Sequence, residues 1–250
     1  MIEINKISKS FSSLKIIDEV SATFEKGKTN LIIGQSGSGK TVLMKCLLGL
    51  HDVDNGEILY DGKKFIKDDI SKVSNLRKQM GMVFQGSALF DSMSVIDNII
   101  FPLRMFSDKS DSEMLERARE VIERVDLKDV DNKFPSEISG GMKKRVAIAR
   151  AIILKPKYLF CDEPNSGLDP YTATVIDELL KEITYEYNIT TVINTHDMNS
   201  VMQIGDYIIF IQKGKKLWEG SKDEIMNSTN KDLNKFIFSS EIFRRLKSFM

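Results

Sequence analysis

The stretch Gly34-Gln35-Ser36-Gly37-Ser38-Gly39-Lys40-Thr41 constrains this chain more than any other. A glycine is followed by four free positions and then Gly-Lys-Thr. Upstream, Thr29 to Ile33 is a short apolar run that predicts a buried strand; downstream, Val42 to Leu48 predicts a helix. Strand, glycine loop and helix are the setting in which this spacing acts as a phosphate loop. Glycines let consecutive backbone N–H groups turn toward one anion, and the helix start adds the positive end of its dipole. Lys40 is then placed to reach the β- and γ-phosphates, and Thr41 to offer its hydroxyl to Mg²⁺.

Charge narrows the classes. Lys+Arg and Asp+Glu both number 36, so the net charge is zero, which speaks against a dedicated nucleic-acid binder. Cys46 and Cys161 lie inside apolar runs and read as buried, reduced thiols. Met1 to Lys6 has no apolar core of signal-peptide length, and no apolar run approaches the ~20 residues of a membrane helix. The expectation is a soluble chain whose membrane role, if it has one, comes through a partner.

Taken in order, residues 2–7 and 15–24 predict strands, with Phe11 in the connection between them. Phe11 can stack on a purine or fill the core. Residues 56–60 predict a strand ending in the Asp61-Gly62 turn. Gly81 to Gln85 predicts a short strand with Gln85 at its polar end, where a carbonyl oxygen can face a metal. Pro102 interrupts the apolar stretch 95–106. Ser110 or Ser112 then caps an amphipathic helix whose charges read as a solvated face. His51 reads as a residue of a polar turn.

Three later stretches carry possible chemistry. Ser139-Gly140-Gly141 opens a helix, either as a second anion-binding N-terminus or as an ordinary capped helix with room for close packing. Lys157 to Pro164 is an apolar strand ending in Asp162 and Glu163, at the strand end where ligands bind in open α/β sheets. Asp162 suits a Mg²⁺ shell, and Glu163 suits activation of a water. After the turn Ser166-Gly167-Leu168-Asp169, the strand 189–195 ends in His196, which can hydrogen-bond a phosphate. Residues 208–220 predict a hairpin, and Ser221 to Glu224 a capping box. The stretch from Phe236 to Leu246 is amphipathic; it can finish the core, dock on a second subunit or touch lipid headgroups.

Together, in this order, the motifs resemble an ABC transporter ATPase subunit over roughly residues 1 to 225. The resemblance implies an α/β P-loop NTPase fold with a mixed central sheet, an antiparallel β-subdomain and an inserted helical subdomain. It places the ATPase domain at 1–230, the insertion at about 90–150 and a C-terminal extension at 231–250. It implies ATP and Mg²⁺ as cofactors. ATP contacts fall on Phe11, Gly34, Gln35, Ser36, Gly37, Ser38, Gly39, Lys40, Thr41, Val42, Gln85, Ser139, Gly140, Gly141 and Asp169. Mg²⁺ falls on Thr41, Gln85 and, through water, Asp162. Glu163 becomes the catalytic base, with His196 and Lys40 on the γ-phosphate. Phe11 is then an adenine-stacking residue. Two copies pack head to tail, so that Ser139 to Gly141 of one close over the phosphate loop of the other. The family's usual Leu-Ser-Gly-Gly-Gln reads Ile138-Ser139-Gly140-Gly141-Met142 here, a departure that keeps the serine and glycine donors.

The stretches Met82 to Val95 and Asn98 to Leu103 further resemble the ATPases of Mla/Mce lipid transport systems, the MlaF type. That implies an MlaE-like permease, an MCE-domain protein, a phospholipid cargo, and a peripheral seat on the cytoplasmic face of the inner membrane. An importer or exporter ATPase for amino acids, ions or drugs is the nearest rival. A DNA-associated ABC-type ATPase would need a long coiled-coil insertion between phosphate loop and signature, and no sustained heptads lie there.

Overall fold

The computed structural model describes residues 1–65, 70–239 and 243–245. Among them the chain runs β1 (Ile2–Phe11), β2 (Leu14–Phe24), β3 (Thr29–Ile33), α1 (Lys40–Leu47), β4 (Asn55–Tyr60), β5 (Lys63–Lys64), α2 (Ile70–Arg77) and β6 (Met80–Val83). Then come α3 (Val95–Phe106), α4 (Asp111–Arg124), α5 (Gly140–Ile152), β7 (Tyr158–Asp162), α6 (Pro170–Glu186), β8 (Thr190–Thr195) and α7 (Met198–Ile204). The hairpin β9 (Tyr207–Gln212) and β10 (Lys215–Gly220) leads to the short α8 (Lys222–Ile225) and α9 (Lys231–Ile237).

The chain divides into two compact units. The first holds 1–25, 29–67 and 194–250. Its antiparallel sheet has the order β2-β1-β4-β5. The Asp61-Gly62 turn that joins β4 to β5 has positive φ at both residues, 49° and 73°, the conformation a two-residue hairpin needs. Elsewhere in this unit β3 pairs in parallel with β9, and β9 antiparallel with β10, so the pairing is mixed. All five residues of β3 are buried, as expected of a strand covered on both faces. Thr29 ties the start of β3 to Asp206 through its amide and its hydroxyl, each at 2.9 Å.

The second unit holds 26–28 and 68–193. Here β6 and β7 pair in parallel, Gly81 opposite Leu159. Gly81 has a packing reason: a Cβ there would lie 2.3 Å from the Ala151 carbonyl oxygen, so the glycine lets α5 seat directly on β6. Helix α4 follows the predicted pattern, burying Met114, Ala118, Val121 and Ile122. Ser110, not Ser112, caps it, in a reciprocal capping box with Glu113. Among the described residues, no helix is long and apolar enough to cross a membrane.

Several boundaries differ from the sequence reading. Phe11 is the last residue of β1 rather than part of a connection, because its pairing with Leu14 leaves only two residues for the turn. Helix α3 continues past Pro102, although the proline removes the backbone bond that an amide there would have made and crowds the carbonyl four residues earlier. The α4 face is not merely solvated. Arg117 donates to the carbonyls of Ile152 and Ile153 at the end of α5, and Arg124 pairs with Glu182 and Glu186 of α6. Helix α7, opened by Asp197, was not foreseen. The start of the C-terminal extension finishes core: Leu233, Phe236 and Ile237 of α9 are buried, and the Phe236 ring lies 5.4 Å from that of Phe210. Residues 240–242 and 246–250 of that extension lie outside the described residues.

Candidate functional site

In the first unit, the phosphate loop leaves the buried β3 and enters α1 with Gly39 as the N-cap, at φ 111°. Gln35, Ser36 and Gly37 are exposed, whereas Ser38, Gly39 and Lys40 are buried. The loop is held from behind. Gly214 donates to the Ser38 carbonyl at 3.0 Å and accepts from the Asp18 amide at 2.9 Å. At Gly34 a Cβ would sit 2.1 Å from the Ile211 carbonyl oxygen, and the φ of 153° also disfavours a side chain. Gly34→Ala is therefore expected to lower stability by about 1–3 kcal/mol, the range for forced overpacking. A urea unfolding midpoint equal to the parent's would contradict this close approach.

The loop fits an anion. Gly37 faces open space, with nothing within 4 Å of where a Cβ would be. Ser38 Oγ is buried and lacks a hydrogen-bond partner, an unusual cost for a polar atom unless a ligand completes it. Lys40 Nζ donates to the carbonyls of Gly34 at 2.8 Å and Gln35 at 3.2 Å, which places its ammonium at the mouth of the loop. Thr41 is exposed, and Val42 half-buried, on the first turn of α1.

The same unit holds Phe11 and His196. Phe11 is 42% exposed, so a face remains for a ring to stack on. Its ring meets that of His51 edge-on at 5.1 Å, and Lys9 Nζ lies 5.5 Å from its centroid. His51 is thus more than a turn residue: it braces Phe11, a contact that the long intervening chain hides from any local reading. His196 is exposed just beyond β8, and Asn194 two residues earlier donates to Met44 Sδ of α1 at 3.7 Å.

The second unit gathers the remaining candidates. Strand β7 is buried up to Cys161 and ends at Asp162, which is half-buried. Glu163 lies outside the strand, at φ 48°. The strand read as ending in Asp162 and Glu163 therefore stops at Asp162; a left-handed turn, followed by Pro164, sets the direction of the Glu163 side chain instead. Such a conformation is unfavourable for a residue with a Cβ and collects at functional sites. Strand β6 likewise stops at Val83, so Gln85 stands on an exposed turn rather than at a strand end. Its Nε2 donates to Ser166 Oγ at 3.3 Å, and its carbonyl accepts from Lys144. Burial lowers the Lys144 pKa, an effect that the Glu163 charge opposes.

Ser139 caps α5 by accepting from the Met142 amide at 3.3 Å. Ser139 and Gly140 are exposed. Gly141 has a packing reason, since a Cβ would meet Thr172 Cγ2 at 2.8 Å. Asp169 caps α6, accepting from the Thr172 hydroxyl at 2.5 Å and from the Thr172 amide at 3.0 Å, and these hydrogen bonds, the hydroxyl's first, hold its carboxyl below the usual range. Cys46 and Cys161 are buried free thiols; burial pushes Cys46 up to about 11 and Cys161 further up. Residues that sequence reasoning missed include Lys144, Arg150 and Asn98. No local pattern marks the first two within their helix, and Asn98 lies within an apolar stretch.

The model of the family described as ABC transporter matches residues 17–166. The chain belongs to the ABC transporter family. Among relatives, it is 35% identical over 94% of its length to the probable ribonucleotide transport ATP-binding protein mkl of Mycobacterium tuberculosis. It spans 66% of that protein's length. It is 36% identical to the methionine import ATP-binding protein MetN of Clostridioides difficile, covering 97% of this chain and 75% of MetN. It is also 36% identical to the chloroplast protein Trigalactosyldiacylglycerol 3 of Arabidopsis thaliana, covering 96% and 74%. A dimeric ATP-binding cassette in a post-hydrolysis state, bound to ADP and Pi, superposes with TM-score 0.81 at 28% identity, covering 89% of this chain and 99% of that one. The α/β P-loop fold read from the sequence is thus the fold of this ABC cassette. Cassettes of this family are ATPases that take ATP with Mg²⁺, and this chain's cassette is one of them.

Proposed function

We propose that this cassette powers a lipid transporter by binding and hydrolysing ATP as a head-to-tail pair of copies seated under a membrane permease. The observation that carries the permease contact is an apolar groove of about 440 Å³ in the second unit. Phe84, Phe90, Phe101, Pro102 and Phe106 line it. All of these but Phe106 come from the stretches that resemble the Mla/Mce ATPases. Phe84, Phe90 and Phe106 are each more than 40% exposed, a cost in water that a protein partner removes. The occupant we assign is an apolar cytoplasmic segment of an MlaE-like permease, itself joined to an MCE-domain protein. The galactolipid in one relative's name supports a lipid cargo.

Within this reading each candidate residue has a task. Phe11 stacks on adenine. Backbone amides from Gln35 to Thr41, Ser38 Oγ and Lys40 hold phosphates, with Val42 extending the helix start. Thr41, Gln85 and Asp162 offer oxygen donors suited to Mg²⁺, a hard cation that keeps phosphates and waters in its shell. Glu163 accepts a proton from the attacking water, and His196 hydrogen-bonds the γ-phosphate. Ser139, Gly140 and Gly141 serve the nucleotide of the second copy, with Asp169 beside them. Donors arranged around the γ-phosphate stabilise the charge that develops there.

The MetN relative favours a second reading, an importer of another substrate. A pull-down of the tagged chain from detergent-solubilised membranes, followed by mass spectrometry of proteins and lipids, separates the two. The lipid reading expects an MlaE-like permease, an MCE protein and enriched phospholipid. A permease of another family without lipid would overturn the cargo. Phe90→Asp should abolish capture of the permease, and undiminished capture would remove the groove from the contact.

A further inference from the structure

We propose that Lys144 and Arg150 are positioning residues that clamp the turn 85–88 onto helix α5 and so hold Gln85 in its working place. The argument rests on the role given to Gln85 above. The turn itself is costly: Ser87 and Ala88 are consecutive residues with side chains at φ 64° and 47°. Left-handed conformations of that kind persist only where surroundings over-determine them. Helix α5 supplies the surroundings. Arg150 donates from Nη1 to the Ala88 carbonyl and from Nη2 to the Ser87 carbonyl, both at 2.8 Å. Lys144, only 5% exposed, donates to the carbonyl of Gln85. Three backbone acceptors across four residues are thus taken by two cations of one helix.

Beyond the turn the segment is fastened again. Asn98, fully buried on α3, accepts from the Phe90 amide and donates to the carbonyls of Phe90, Met93 and Ser94. The Phe90 ring packs on Phe101 at 4.8 Å and lies 5.9 Å from the Arg150 guanidinium. Arg150 therefore contacts the wall of the apolar groove and the turn that carries Gln85 at once. Helix α5 begins at the Ser139 cap, so one rigid rod joins groove wall, Gln85 and the Ser-Gly-Gly segment. Without the clamp, the 85–88 turn is expected to relax and Gln85 to lose its orientation, while nucleotide contacts made elsewhere persist.

The test uses the full chain and two readouts, steady-state ATP hydrolysis and amide hydrogen exchange over residues 84–90. Lys144→Met and Arg150→Met should each lower kcat about 10-fold or more, with KM for ATP changed by less than about two-fold. Exchange over 84–90 should rise in both. Lys144→Arg should restore most of the rate. Gln85→Ala is the reference. If it lowers kcat while both methionine variants keep the parent's kcat or the parent's exchange, the clamp is refuted. If Gln85→Ala itself leaves kcat unchanged, the role of Gln85 fails and the clamp's catalytic purpose fails with it. Should the methionine variants not fold, Arg150→Lys decides, because it keeps the charge but loses the two-pronged contact; a parental kcat would overturn the proposal.

Discussion

Glu163→Gln is expected to leave ATP binding intact and to slow hydrolysis by about 10²- to 10⁴-fold, the range for loss of a positioned general base. The amide keeps the size and hydrogen-bonding reach of the carboxylate but has little basicity. Backbone effects should be small. Glu163 already sits at φ 48°, and the turn behind it is closed by the Ser166 amide donating to the Glu163 carbonyl at 3.2 Å. A change confined to the side chain leaves that bond in place. The variant should also hold two copies together in the presence of ATP, because the step that separates them no longer occurs. Single-turnover hydrolysis, with gel filtration in ATP, checks both parts. A rate near the parent's would remove Glu163 from the base role.

Lys40→Ala should act on binding itself. The ammonium makes charge-assisted hydrogen bonds, and one such bond contributes about 1.5–3 kcal/mol. ATP affinity is then expected to weaken about 10- to 100-fold, at about 1.4 kcal/mol for each factor of ten. A second effect adds to the first. Lys40 Nζ also ties down the carbonyls of Gly34 and Gln35, so its loss loosens the loop that presents the amides. Equilibrium binding of a fluorescent ATP analogue, beside a thermal melt, separates lost affinity from lost fold. Unaltered affinity would contradict the phosphate contact. The two variants should differ in kind: one traps nucleotide, the other fails to take it up.

Much of the site was legible because its signals are local. The phosphate loop needs a strand, glycines and a helix start within one short stretch, and all three are written there consecutively. The capping box at Ser221/Glu224 is equally short-range and appears in the structure as read, whereas the choice between Ser110 and Ser112 is settled for Ser110 by its box with Glu113. The Asp61-Gly62 turn follows from the left-handed tolerance of its two residues. Apolar runs such as Thr29 to Ile33 and Lys157 to Cys161 predict buried strands without reference to anything distant.

What stayed hidden depends on partners far along the chain. Nothing near Lys144 or Arg150 says that their cations end on carbonyls some sixty residues earlier. Nothing near Arg117 says that it closes the end of α5. His51 looked idle because its partner, Phe11, lies far back in the chain at the end of β1. Glu163 and Gln85 were placed on strands because apolar runs do not mark the residue at which pairing stops. By itself the sequence determined most of the order of elements, the phosphate loop and the family, though not α2, β5 or α7. Tertiary structure decided where the strands end, which charges are spent on backbone carbonyls and which aromatics brace one another. Periodicity and capping act over a few residues, whereas these choices are made by contacts that exist only once the chain has closed.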